Sequence, residues 1–192
     1  MKLIDFALGL SVVASLATHV SSVTPPGAST PLFYLVATSS SSTTNLAVRP
    51  VAASDVNSFS DSAKPLRLDG TLTGSSPVVE FYLNSQGQLA LIDPTTSTNY
   101  NALIDSAFNG DCSADGAIVF LQGSSSNKCA KRQGFQIQSD TENSQLGAQL
   151  VFNFVGGFYA CGSNQAIWYK VNAADAPSDC SPVSLYTVPV VA

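Results

Sequence analysis

The residues with the clearest chemical potential are the four cysteines, Cys112, Cys129, Cys161 and Cys180. Thiols in even number pair as disulfides in an oxidising compartment, and four of them allow three pairings. Joining each to its nearest neighbour in sequence, Cys112 to Cys129 and Cys161 to Cys180, closes two loops of about 17 to 20 residues, each worth about 3 kcal/mol in the chain-entropy description. Zinc is the competing use of the same residues. No two cysteines have CxxC spacing, and the single histidine, His19, lies in a segment expected to be removed, so no metal and no cofactor are expected.

Without His19 the chain has no imidazole for a Ser-His-Asp or Cys-His arrangement. It also has no Gly-rich phosphate loop and no nucleophile elbow. A glycoside hydrolase needs only two carboxylates across a sugar, and Asp111, Asp115, Asp140 and Glu142 are available. These four sit in turns rich in Gly, Ser and Asn, where an Asp ordinarily tightens the backbone. The expectation is a protein that is not an enzyme, with hydrolysis the least favoured reading.

Aromatic rings offer binding instead of catalysis, because a flat apolar face can stack on a sugar while neighbouring amides hold its hydroxyls. Trp168, the one tryptophan, and Tyr100, between Asn99 and Asn101, are the two candidates. In Ala166-Ile167-Trp168-Tyr169-Lys170 the tryptophan faces opposite to Ile167 and Tyr169, so one set belongs in the core and the other nearer the surface. A core position for Trp168 is the preferred of the two.

The elements that must position these residues are constrained by composition. The chain has 192 residues, enough for one domain of ordinary size. Charged residues make up 11 % and apolar residues 45 %, so a core can be filled while the surface is mostly uncharged Ser, Thr, Asn and Gln. A net charge of −5 has the wrong sign for following a phosphate backbone, which argues against a nucleic-acid partner. Lys2 followed by an apolar stretch from Phe6 to Leu16 reads as a secretory signal, assigned to residues 1–22, too short to span a bilayer. No later stretch is long enough for a membrane span, so secretion to the extracellular space or cell wall is expected. The sequence sets no oligomeric state.

Residues 23–31, with Pro25, Pro26, Gly27 and Pro31, have the composition of an extended leader, and residues 32–192 form the expected domain. From Leu32 onward the apolar pattern has period two, punctuated by Asp69-Gly70, Gln86-Gly87, Asn109-Gly110, Asp115-Gly116 and Gly156-Gly157. The best helical candidate, Tyr100 to Phe108, amounts to a turn or two. Ser/Thr tracts at 38–44, 95–98 and 124–126 read as loops, plausible sites of O-glycosylation in an exported protein. Lys131-Arg132 is dibasic, and its place between Cys129 and Phe135 argues for an intact structural loop.

A weak internal repeat appears among the alternating segments. Phe33-x-Leu35, Phe81-x-Leu83 and Phe135-x-Ile137 open three units of about fifty residues. Leu46-x-Val48, Leu89-x-Leu91 and Leu150-x-Phe152 follow, then Leu66-x-Leu68, Ile118-x-Phe120 and Ile167-x-Tyr169. Units this small must share one core, so the expected fold is all-β, a single compact domain built as a β-trefoil-like barrel with two disulfides. A Greek-key β-sandwich is the alternative.

Arg132-Gln133-Gly134-Phe135 with Ile137, then Phe158-Tyr159-Ala160-Cys161-Gly162, Ile167-Trp168-Tyr169 and Asp179-Cys180, resemble the C-terminal half of small secreted fungal cell-wall proteins. That group includes the phialide-development cell-wall protein of moulds and relatives described as IgE-binding antigens. Phe81-Tyr82-Leu83-Asn84-Ser85-Gln86-Gly87-Gln88-Leu89 is similar to the same family's earlier hairpin, and Phe158 to Leu185 is similar to the C-terminal domain of yeast cell-wall proteins with internal repeats. The strong part covers residues 132–190, about a third of the chain. No Gln-rich repeat stands here, so the glucan attachment of the internal-repeat proteins does not carry over, and Cys112 and Cys129 do not match the family's first two cysteines. The resemblance implies an extracellular or wall-associated, non-catalytic fungal protein. A carbohydrate-binding module with cell-wall polysaccharide as its partner is the alternative function.

Overall fold

A computed structural model of the chain describes residues 24–39, 49–53, 63–68, 79–92, 97–138 and 147–191. The expected signal segment, Leu46-x-Val48, Asp69-Gly70, Asp140, Glu142 and residues 40–44 and 95–96 of the Ser/Thr tracts lie outside the described residues.

Among the described residues there are twelve strands and no helix, as the period-two pattern requires. They are β1 (Phe33–Ser39), β2 (Arg49–Ala53), β3 (Ala63–Leu68), β4 (Glu80–Leu83), β5 (Leu89–Ile92) and β6 (Asn99–Asp105) in the first part of the chain. β7 (Gly116–Leu121), β8 (Phe135–Gln138), β9 (Gln149–Phe152), β10 (Gly157–Cys161), β11 (Ala166–Lys170) and β12 (Cys180–Pro189) follow. Every pairing is antiparallel, and the sheet closes on itself into a barrel, with β1 joined both to β4 and to the last strand, β12.

The candidate helix between Tyr100 and Phe108 is instead β6, bonded along its length to β7 and to β5. Its residues are apolar on both faces, Ala102 and Ile104 in the main core and Leu103 buried on the opposite side, and this mimics helical spacing. Thr38 and Ser39, expected in a loop, end β1, where Thr38 is buried. Of the expected turns, Gly87 and Gly110 do carry positive φ, +69° and +93°, between β4 and β5 and between β6 and β7. Gly116 instead begins β7, and the reason for glycine there is proximity: a Cβ would lie 2.6 Å from the Asp105 carbonyl oxygen.

Within the proline-rich segment, Ala28 N donates to the Pro25 carbonyl, Ser29 N donates to the Leu83 carbonyl and Thr30 Oγ1 accepts from Leu83 N. Ala28 packs with Leu32, Tyr82, Ala90 and Val190 in a small second cluster.

The main core takes the inward residues of nearly every strand. Leu66, Phe81, Leu89, Ile104, Ile118, Phe120, Leu150, Ile167 and Leu185 are all fully buried. One aromatic row runs Phe33–Phe81–Phe120, with centroids 6.4 and 5.8 Å apart. Another runs Phe135–Phe152–Tyr169 at 4.9 and 4.8 Å, edge to face, the geometry that ring quadrupoles favour.

Both disulfides pair as nearest neighbours in sequence, Cys112 with Cys129 and Cys161 with Cys180, and no described cysteine is free. Among the described residues no helix is long and apolar enough to cross a membrane, and no group of His, Cys, Asp and Glu could hold a metal ion.

Candidate functional site

Three strands far apart in sequence, β3, β7 and β11, pair with one another. Pro65 stands opposite Val119, Trp168 opposite Ala117, and Ala166 opposite Arg67. Their inward residues, Leu66, Ile118, Phe120, Ile167 and Tyr169, fill the core. By strand alternation their outward residues face away from it, and there they line a cleft of about 590 Å³.

The cleft floor carries Arg67, Val119 and Trp168, the middle residues of the three triplets Leu66-x-Leu68, Ile118-x-Phe120 and Ile167-x-Tyr169. Trp168 is half-buried and lines this cleft, not the main core; Ile167 and Tyr169 take the core positions, which corrects the preferred sequence expectation. Tyr100 packs half-buried against the main core and does not join Trp168 in the cleft.

The walls are polar and braced. Asn127 is the organising residue of the 124–129 loop: its Nδ2 donates to the Asp105 carboxylate at 2.7 Å and to the Ser106 carbonyl at 2.9 Å. Its Oδ1 accepts from Cys129 N at 2.9 Å, an Asx-type turn that seats the first disulfide. Opposite, the second disulfide holds the wall formed by Cys161, Gly162, Pro177 and Asp179, with Gly162 N donating to the Asp179 carbonyl at 3.1 Å. Arg67 is half-buried, and its Nε is a buried donor with no partner among the described residues. Ser124 and Ser126, from the third Ser/Thr tract, are exposed along the same cleft.

Behind the second wall, buried Lys170 donates its Nζ to the carbonyls of Asp175 (2.8 Å) and Pro177, and stands 5.1 Å from the Tyr159 ring centre. The ammonium thus ties the 171–179 segment to β11, which gives that wall its shape.

The two described carboxylates of those considered for hydrolysis, Asp111 and Asp115, lie elsewhere. Asp111 is exposed and Asp115 half-buried in the β6–β7 connection, and neither lines the cleft. Next to them Lys131 donates to the carbonyls of Ser113 and Ala114, both at 2.7 Å, while its backbone exchanges hydrogen bonds with Ile104. Burial pushes the Lys131 ammonium below its ordinary range and the Asp115 charge opposes that shift. The dibasic Lys131-Arg132 pair is therefore built into the fold at its first member.

Arg67, Asp105 and Asn127 were not singled out from the sequence. The signal that would have found Arg67 is its slot: it occupies in its triplet the place that Trp168 occupies in the third.

No family model matches the sequence, and no curated protein and no solved structure matches it.

Proposed function

We propose that this is a secreted, non-catalytic, wall-associated fungal protein that acts by binding cell-wall polysaccharide in the Arg67/Trp168 cleft. The observation carrying the reading is the convergence of three outward residues from distant strands on one shaped cavity, with a half-buried tryptophan in its floor and amides in its walls. Its volume lies within the range of small-molecule sites, about 300–1,000 Å³. Two disulfides suit an oxidising, extracellular setting. The resemblance of residues 132–190 to fungal wall proteins supplies the wall. Within the cleft, Asp105 already holds the amide of Asn127, a positioning role that favours binding over acid–base work.

The same strand pairings favour a trefoil of three units, β1–β4, β5–β8 and β9–β12. β3, β7 and β11 would meet about the pseudo-three-fold axis, while β4–β5, β8–β9 and β12–β1 would join successive units. Phe81-x-Leu83, Phe135-x-Ile137 and Val183-x-Leu185 would then be equivalent, on β4, β8 and β12.

Retention on insoluble chitin, β-glucan or mannan, lost in Trp168→Ala, is the expected result. Retention on none of the three overturns polysaccharide binding. Fractionation that finds the protein only in the cytosol overturns the wall assignment.

A further inference from the structure

We propose that the cleft selects a neutral, hydroxyl-bearing sugar and rejects acidic ones, with Arg67 as the donor and Asp179 as an acceptor that read the hydroxyl groups. The inference rests on the carbohydrate reading above and adds the class of sugar.

Arg67 alone suggests the opposite, since a guanidinium in a cavity is a ready partner for a carboxylate or phosphate. The surrounding charges decide against that. Among the described residues the cleft is lined by one cation, Arg67, and two carboxylates, Asp105 and Asp179, on a chain of net charge −5. An anionic ligand would meet one attraction and two repulsions in a partly desolvated site. A hydroxyl is suited to both signs, because it accepts from the guanidinium and donates to a carboxylate.

Three further features fit a pyranose. Arg67 lines the cleft, and its buried Nε has no partner among the described residues, so none of them is seen to claim that donor. Asp105 gives part of its capacity to Asn127, whereas the Asp179 side chain is exposed at the wall. Trp168 supplies the flat apolar face against which the C–H side of a sugar ring stacks.

The chain's single tryptophan makes the test direct, because Trp168 fluorescence reports the cleft itself. The oxidised protein is titrated with chitotetraose, laminaritetraose, mannotetraose and tetragalacturonate. At least one neutral tetrasaccharide is expected to shift Trp168 emission saturably, with tetragalacturonate at least about tenfold weaker. Arg67→Met should weaken that neutral ligand about tenfold or more, the effect of losing a hydrogen bond to a charged group. Asp179→Asn should narrow the gap between neutral and acidic probes. Should Arg67→Met fail to fold by circular dichroism, Arg67→Gln and Asp179→Asn carry the same comparison.

Tighter binding of tetragalacturonate than of every neutral probe would overturn the selectivity while leaving a glycan site in place. Neutral binding indifferent to Arg67 substitution overturns the role of that residue. Silence from all four probes removes the carbohydrate reading together with this one.

Discussion

Cys161 stands directly opposite Cys180 in the β10–β12 ladder, so the disulfide joins two residues that are already register partners. The bond therefore locks a strand pair and, at the same point, anchors the segment that leads from β11 through Asp179 to β12. Replacing both residues by serine should lower stability by about 3 kcal/mol, the value for a loop of this length. Loss of saturable sugar binding should accompany it, because Cys161 and Asp179 share a cleft wall. Thermal unfolding of the double variant, compared with the oxidised parent, checks the first effect and Trp168 fluorescence the second.

Tyr169 makes the protein sensitive to alkali. Its hydroxyl donates to the Val155 carbonyl at 2.7 Å, and burial, with the Asp175 charge adding to it, holds its pKa above the ordinary tyrosine value. Burial raises Tyr82 in the same direction. The folded state thus binds these protons more tightly than the unfolded chain. Their contribution is fully present below the unfolded tyrosine pKa, near 10, and is lost as pH rises above it. Urea midpoints measured from pH 8 to 12 should stay level and then fall, and Tyr169→Phe should make the fall shallower. At neutral pH the same variant loses one hydrogen bond, about 1 kcal/mol.

Gly156 and Gly157 are neighbours with opposite tolerance. Gly156 has φ +71°, and a Cβ there would meet the Lys170 carbonyl oxygen at 2.1 Å. Gly157 has ordinary φ, and its Cβ would find only Tyr159 Cε2 at 3.9 Å. Gly156→Ala should destabilise by about 2 kcal/mol or more, whereas Gly157→Ala should be close to neutral. Equal midpoints for the two variants in chemical denaturation would contradict this.

Asn127 links the first disulfide to the cleft. Asn127→Ala removes donors to Asp105 and Ser106 and the acceptor for Cys129 N, and leaves the Asp105 carboxylate without that amide. A loss of about 2 kcal/mol is expected from the broken bonds, measured by thermal unfolding. Sugar affinity should fall as the 124–129 loop loosens, even though Trp168 and Arg67 are intact.

The triplets around Leu66, Ile118 and Ile167 were legible because each strand has a clean inner and outer face. β6 was not, since Tyr100, Ala102, Leu103 and Ile104 place apolar groups on both sides of one strand. The two disulfides were readable from spacing, as both close short loops. Phe33 and Phe81, aligned in sequence as openings of successive units, stand opposite each other on β1 and β4 as sheet neighbours, a relation that sequence spacing does not encode. The cleft was harder to read because nothing local in Leu66-Arg67-Leu68 encodes its partner β11; only the matching slot of Trp168 in the third triplet points to Arg67.

The mutual pairing of β3, β7 and β11 has a bearing on biosynthesis. A growing polypeptide delivers these strands one at a time, and the triangle closes only after β11 has followed β3 and β7. A product ending before β11 would lack one side of the triangle and, with it, the part of the cleft that Ala166 and Trp168 line.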